Sequence, residues 1–516
     1  MTRESSGPSL KGAVSRHPAF GRLLPSALIL IGAGCLVAYA LLSPLSSDEG
    51  WYLAGAHLAS EGKVPYLDFA YSQGPVVPLV HGLALRFLGS RLVTQRLLGA
   101  LWGALTLAFL VAGFRRRASA AKTAVILLPA VASLGWHSQV ALGNTFGLAG
   151  FFLALSAWSL LREGRSPYAA PVTAVCFATV STACRLTVAP FPGALLGLIA
   201  LGKRRAPVAL AAASAGAGVL AVLLGPFLLF ALEPTSFWLV GYHLGSSLVR
   251  SRADVFLEAI TLYPALPVAL AVGLWGLFRG GWRSERNASM LFVAAAVGVV
   301  SSLVLPSSYG GYVTPFVPLL LTTSTFIALA ATPAASRRFG PVAAAALSAA
   351  LGIALPPPID LEWLGDLRET TAIVRRIVPP GHYVFTSRPE TAIEAGRTFW
   401  PGLEMGMFSV TEEIPADRAQ RLHLVSPARF REALLDPRTR GVVLSVEPLW
   451  NLGASVPSLR PLSPTRVKAL QEVFTSRFVP ERVGRCYIVF RARGEEEGGA
   501  RLQSMPEGPT RRLGSP

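Results

Sequence analysis

Asp48 and Glu49 stand side by side a few residues beyond Leu23 to Leu42, a run of about 20 apolar residues, and Trp51 and Tyr52 follow at once. A run of that length crosses the hydrocarbon core of a bilayer, so the two carboxylates come at the water–lipid boundary, where amphipathic aromatics also gather. Ionisable groups at that depth are costly and are kept for function. Carboxylates offer general acid–base chemistry. A third, Asp68, follows in Tyr66-Leu67-Asp68-Phe69, just before Gln73-Gly74-Pro75. Further along stand two arginines, Arg96 and Arg185, then His243 in Gly241-Tyr242-His243, and Tyr309 with Tyr312.

The two adjacent carboxylates need not act alike. Ser46-x-x-Glu49 has capping-box spacing, in which the glutamate folds back onto the backbone amide of the serine. Asp48 then falls in the first helical turn, where the macrodipole favours a negative charge. That scheme occupies Glu49 and leaves Asp48 without a partner of its own, so Asp48 carries the greater expectation of chemistry.

The elements that must hold these residues are membrane helices. Hydrophobic residues make up 52% of the 516-residue chain and charged ones only 15%, which excludes an ordinary soluble protein. After the first span, apolar runs recur at Leu97–Phe114, Thr123–Leu142, Thr145–Leu161, Ala169–Ala183, Leu186–Leu201, Pro207–Leu232, Ile260–Phe278, Met290–Leu305, Tyr312–Ala331 and Pro341–Leu355, eleven spans in all. With the N-terminus in the cytoplasm, the inside loops collect Arg115-Arg116-Arg117, Arg162, Arg165, Lys203-Arg204-Arg205, Arg279, Arg283, Arg286 and Arg337-Arg338, whereas the outside loops hold scattered cations such as Lys63, Arg250 and Arg252. This alternation is the positive-inside bias. It explains much of the net charge of +18 without nucleic acid, and places Asp48 and the C-terminal portion outside the cytoplasm of a cell (inner or plasma) membrane. The first run is too long, and its flank too acidic, for a cleavable signal peptide.

Residues 43–95 form a long outside loop. Gly50–Glu61 reads as a short helix along the membrane surface, ended by Gly62-Lys63-Val64-Pro65. Val76–Leu88 reads as an interfacial helix: it is short for a span, and crossing there would invert every later loop and destroy the charge bias. The four cysteines, Cys35, Cys176, Cys184 and Cys486, form no CxxC or disulfide pattern.

Pro356-Pro357-Pro358 marks a change to soluble composition. Helical periodicity from Leu364 to Val378, strand-like runs at His382–Ser387, Gly441–Val446 and Cys486–Arg491, and helices at Pro427–Leu435 and Thr465–Phe474, with Ser463 as N-cap and Pro464 at the first position, predict a small α/β domain. The expected organisation is a cytoplasmic segment 1–22, a transmembrane domain 23–355, an extracytoplasmic α/β domain 356–493 and a disordered tail 494–516.

The ordered set in residues 46 to 101 resembles the GT-C membrane glycosyltransferases. It comprises Asp-Glu after the first span, an interfacial helix, Pro-Tyr-x-Asp, Gln-Gly-Pro and the Arg-Leu-x-Gly-Ala-Leu entry of Arg96 to Leu101. The nearest group is the family 39 type, which includes protein O-mannosyltransferases and the bacterial transferases that put aminoarabinose on lipid A. The resemblance extends over roughly residues 20–355. It implies an inverting transfer of sugar from a polyprenyl-phosphate donor to a glycan, lipid or protein acceptor outside the cytoplasm, with membrane lipids around it. Consistent with a lipid-linked donor, the chain has neither GxGxxG after a strand nor a P-loop.

By that resemblance Asp48 is the catalytic base, Glu49 its catalytic neighbour, and Asp68 and Gln73 contact acceptor or sugar. Arg185, Arg96, His243 and Tyr309 are candidates for the phosphate and sugar. Each has a plainer role open to it: Arg185 snorkels, Arg96 anchors its helix, His243 is a solvated loop residue, and Tyr309 belongs to the aromatic belt. Some GT-C relatives use a divalent metal and others none, and no dense carboxylate cluster here decides between them. A transporter or flippase of envelope glycan precursors is the rival reading, but such proteins place paired helix breaks at mid-membrane within internal repeats, and none is visible here.

Overall fold

The computed structural model describes residues 18–46, 48–162, 166–201, 206–244, 251–305, 309–332, 340–446 and 463–493. The predicted tail, most of the N-terminal segment and several of the basic loop residues lie outside the described residues. Eight α-helices run from residue 18 to residue 184: Pro18–Leu42 (α1), Glu49–Ser60 (α2), Val76–Leu88 (α3), Leu92–Phe114 (α4), Ala120–Ala132 (α5), Leu134–Ala141 (α6), Thr145–Leu161 (α7) and Ala169–Cys184 (α8). The apolar helices Pro190–Ala200, Ala206–Phe230, Arg286–Val304, Val317–Ala331 and Gly340–Ala354 follow, with a broken pair between the second and third of these.

Each of the predicted apolar stretches is helical. Among the described residues, five helices are long and apolar enough to cross a membrane alone, and up to seven if each bent pair counts as one span. Thr145–Leu161, Ala169–Cys184, Leu186–Ala200 and Gly340–Ala354 are shorter apolar helices. Leu30, Leu210, Leu229, Phe230 and Phe278 present large exposed apolar side chains, as a lipid-facing surface requires.

Three readings change. Thr123–Leu142 is two helices, α5 and α6, bent by 63° at Ser133. Ile260–Phe278 lies across another break: Arg252–Leu262 and Leu266–Ser284 meet at 89° around Tyr263-Pro264, where proline supplies no N–H and disfavours helix in the residue before it. The two breaks meet, with Gly135 of α6 against the Leu262 carbonyl. The second long helix also begins at Leu92 rather than Leu97, which takes Arg96 inside it.

Beyond Pro358 the chain forms a mixed five-stranded sheet. Its strands are Tyr383–Thr386 (β1), Thr398–Phe399 (β2), Thr439–Ser445 (β3), Phe478–Val483 (β4) and Tyr487–Ala492 (β5), in the order β2-β1-β3-β5-β4. The first three are parallel, and β5 and β4 run antiparallel. β4 lies at an edge, the position that tolerates its Pro480.

Side chains alternate along the strands, so the sheet has two apolar faces. Val442, Leu444, Phe385 and Phe490 pack with Phe430 and Phe474 of the helices Pro427–Leu435 and Pro464–Arg477. Val384, Val443, Tyr487 and Val489 pack with Trp363 and Leu367 of the helix Trp363–Ile377, in one cluster with Trp51 and Leu53 of α2. The C-terminal domain and the first loop therefore share a core.

Candidate active site

The turn before α2 makes the bond from Ser46 N to Glu49 that its spacing predicts, but the helix starts at Glu49, so Asp48 stands at the N-cap position and not inside the first helical turn. Glu49 Oε2 accepts a hydrogen bond from Ser46 N at 2.8 Å. The other work of Glu49 is less visible in the sequence. Arg96, wholly buried on α4, donates Nε to Glu49 Oε1 at 2.5 Å and Nη2 to Oε2 at 2.7 Å. Its remaining N–H groups reach the carbonyls of Ala40 and Ser43 at 3.3 and 2.9 Å and of Pro44 at 3.0 Å, tying the end of α1 to the turn. Trp363 of the C-terminal domain lies 4.1 Å from the guanidinium carbon. Arg96 is thus neither a surface anchor nor free for substrate.

Asp48 precedes α2 and its carboxylate makes no capping bond. It lines a cavity of about 300 Å³ with Ser46, Glu49, Tyr52, Gln139, Leu142, Asn144 and Tyr309. Burial pushes its carboxyl above the ordinary carboxylate range, opposed by the neighbouring Trp51 indole and by the charges of Arg185 and Arg388. A second cavity of about 580 Å³ shares Ser46, Gln139 and Leu142 with the first. Its other walls are Ser43 to Leu45, Gly135 and Ser138 of α6, Thr261 and Leu262 at the second helix break, and Leu355 to Pro358, and it is mainly apolar. The two helix breaks therefore open space on one side of the carboxylate.

Arg185 is buried at the end of α8 rather than snorkelling outward. Its guanidinium lies 4.4 Å from the centres of both the Phe146 and Tyr312 rings, with Nη1 bonded to Thr145 Oγ1 at 2.8 Å and Nε to Thr187 Oγ1 at 3.1 Å. Stacked on two rings, and with no carboxylate partner of its own among the described residues, the cation is held in place and its charge acts on Asp48.

The remaining predicted residues divide. Tyr309 lines the Asp48 cavity and packs edge-on to Tyr312, their ring centres 4.3 Å apart. His243 does not line it. Its Nε2 donates to the Ser72 carbonyl at 2.8 Å, and burial lowers its pKa, so it is a neutral brace on the Gln-Gly-Pro turn. Gln73 is buried and its carbonyl accepts from the Tyr66 hydroxyl. Gly74 explains the motif better: a Cβ there would overlap the carbonyl of Ala183, so the turn lies directly against the end of α8 next to Arg185. Asp68 is exposed, accepts from Val64 N at 2.7 Å and is not brought into the cavity. It closes its own turn.

Sequence reasoning missed Gln139, Leu142 and Asn144 in the wall, and Arg388 beside Asp48. A signal existed for Gln139 and Asn144: Ser138-Gln139 and Asn144-Thr145 are polar pairs at the joint between two apolar runs. For Arg388 there was none, because it arrives from a separate domain. Among the described residues no group of three His, Cys, Asp or Glu side chains gathers as metal ligands. Arg96 and Ser46 already engage both oxygens of Glu49, so Glu49 is committed to the turn and not to a cation.

No protein-family model and no curated protein matches the chain. Solved structures of ArnT from Cupriavidus metallidurans do. The form bound to undecaprenyl phosphate superimposes with a TM-score of 0.58 at 14% identity, over 92% of this chain and 98% of that one. The apo form gives 0.60 at 15% identity, over 92% and 97%.

Proposed function

We propose that this chain, which has the GT-C fold of membrane glycosyltransferases, moves a sugar from a polyprenyl-phosphate carrier to an acceptor hydroxyl on the extracytoplasmic side of its membrane. The observation that carries the reading is a pair of neighbouring cavities, one apolar and one polar, that share Ser46, Gln139 and Leu142 as wall residues, with Asp48 on the polar side. An isoprenoid tail suits the first and a sugar the second. The undecaprenyl phosphate bound by ArnT, a protein of the same fold, supports the choice of carrier.

The chemistry follows from the groups at hand. Asp48 takes the proton of the acceptor hydroxyl as its oxygen attacks the anomeric carbon. The bond from that carbon to the phosphate oxygen breaks on the opposite face, and the phosphate leaves with the electron pair, so the configuration inverts. General-base help of this kind is worth about 10² to 10⁴ in rate. Arg185, caged by Phe146 and Tyr312, lends a fixed positive charge to the side where phosphate charge grows. Glu49 serves as a positioning residue: with Arg96 it fixes the helix start that carries Asp48.

The test is a deletion strain complemented with wild type or Asp48→Asn at matched membrane levels, its envelope glycans read by mass spectrometry. Loss of one glycan modification on deletion, restored by wild type and not by Asp48→Asn, is expected. Full restoration by Asp48→Asn overturns the reading.

A further inference from the structure

We propose that Arg388, delivered by the C-terminal α/β domain, is a positioning residue of the Asp48 site, fixing the turn that bears the carboxylate and setting a permanent cation beside it. The proposal rests on the reading of Asp48 as the base. Arg388 is 342 positions from Ser46, yet its Nη1 donates to the Ser46 carbonyl at 3.1 Å. Ser46 lines both cavities, and its hydroxyl accepts from Asp48 N at 3.4 Å. One guanidinium bond thus reaches the backbone on which Asp48 is hung.

Arg388 is itself held firmly. It is buried at the junction of β1 and the helix Pro389–Glu394, its N–H donates to Thr386 Oγ1 at 2.8 Å, and its carbonyl accepts from Thr391 N at 3.0 Å. The same helix presses on the site at two more points. Glu390, fully buried, accepts from the Tyr487 hydroxyl at 3.2 Å and lies so close to Gly50 that any Cβ there would overlap its carboxylate. Glu394 Oε1 accepts from Leu92 N at 2.7 Å, capping the helix that carries Arg96. The domain therefore reaches three neighbouring points, with a guanidinium on the Ser46 carbonyl, one carboxylate against Gly50 of α2 and another on the first turn of α4.

The cation also has an electrostatic consequence. Asp48 is faced by Arg185 from the end of α8, by Arg388, by its neighbours Glu49, Trp51 and Tyr52, and by Tyr242, Tyr309 and Tyr312. Of these, only the two arginines bring full positive charge. Removing either one leaves burial less opposed, so the carboxyl takes up its proton at higher pH.

Infrared difference spectroscopy of the full chain in lipid nanodiscs reads that proton directly. The protonated carboxyl band that disappears on Asp48→Asn is titrated in the wild-type, Arg388→Gln, Arg388→Met and Arg388→Lys backgrounds. The expected result is a midpoint about 1 pH unit higher in the neutral variants and close to wild type in Arg388→Lys. An unchanged midpoint in either neutral variant overturns the proposal. So does failure of both neutral variants to fold while Arg388→Lys folds and leaves glycan transfer intact, since the role is then structural. The outcome is separable from the functional reading: full glycan restoration by Asp48→Asn defeats the transferase assignment whatever the infrared midpoints show.

Discussion

Arg96 and Glu49 form a two-point ion pair, Nε to Oε1 at 2.5 Å and Nη2 to Oε2 at 2.7 Å, with both side chains out of contact with water. The geometry is bidentate, so a point charge cannot replace it. The pair links three separate segments: the end of α1, the turn before α2 and the second turn of α4.

Breaking this pair leaves an uncompensated buried charge. Arg96→Met and Glu49→Gln are each expected to cost about 3–5 kcal/mol, and Arg96→Lys to be tolerated only in part. Thermal unfolding followed by size-exclusion chromatography in detergent measures the loss. If the double variant Glu49→Gln/Arg96→Met is more stable than either single variant, the cost is confirmed as that of an orphaned charge.

Asp48→Asn keeps the shape of the site, so it should reduce transfer by about 10² to 10⁴ while leaving thermal stability near wild type. A base must be ionised to work. Because burial raises its pKa, the wild-type rate should fall as pH drops, at a midpoint above the ordinary value of 3.8, and remain high on the alkaline side of it.

The cavity junction offers a steric test. Leu142 borders both cavities, and Leu142→Trp adds bulk where an isoprenoid phosphate would pass from one to the other. Native mass spectrometry with added undecaprenyl phosphate should show weaker retention in this variant, with the melting temperature little changed. Equal retention would separate the cavities from carrier binding.

Gly50 has no room for a side chain. Gly50→Ala drives a methyl group into the Glu390 carboxylate and should loosen the domain junction, seen as faster proteolysis between the two domains. Removing the obstacle with Glu390→Ala in the same chain should recover much of the resistance, which a purely local effect on α2 would not.

Glu404 provides a pH-dependent stability term. Its Oε1 accepts from Gly402 N at 2.8 Å, and burial pushes its carboxyl up to about 7 from 4.5. Between those values the folded protein binds the proton and the unfolded chain does not. Stability from this group is therefore full below pH 4.5 and is lost as pH rises through 7. Glu404→Gln should remove the slope and raise the melting temperature at pH 8 relative to wild type, by the equivalent of about 3 kcal/mol.

Local rules carried far in this chain. Val76–Leu88 was readable to the residue as a helix, and its exposed Leu83 and Phe87 form the kind of apolar face that an interfacial helix needs. The Ser46–Glu49 bond, the N-cap position of Ser463 and, to within two residues, three of the five strands were also legible, because each depends on residues a few positions apart. The bends at Ser133 and around Tyr263-Pro264 were harder to read. A hydropathy run records that a segment is apolar and not whether it is straight.

What stood in the amino-acid order alone was a membrane class, a set of apolar segments, the side of each loop expected from its charges, and a short list of polar residues at one boundary. Folding sorted that list. It bound Glu49 to Arg96, caged Arg185 between two rings, turned Asp68 outward, and brought Arg388 from a distant domain to the Ser46 carbonyl. Caps and helix faces arise from neighbours in sequence, whereas the partner of a buried charge is whichever group the packing of separate segments brings within about 3 Å.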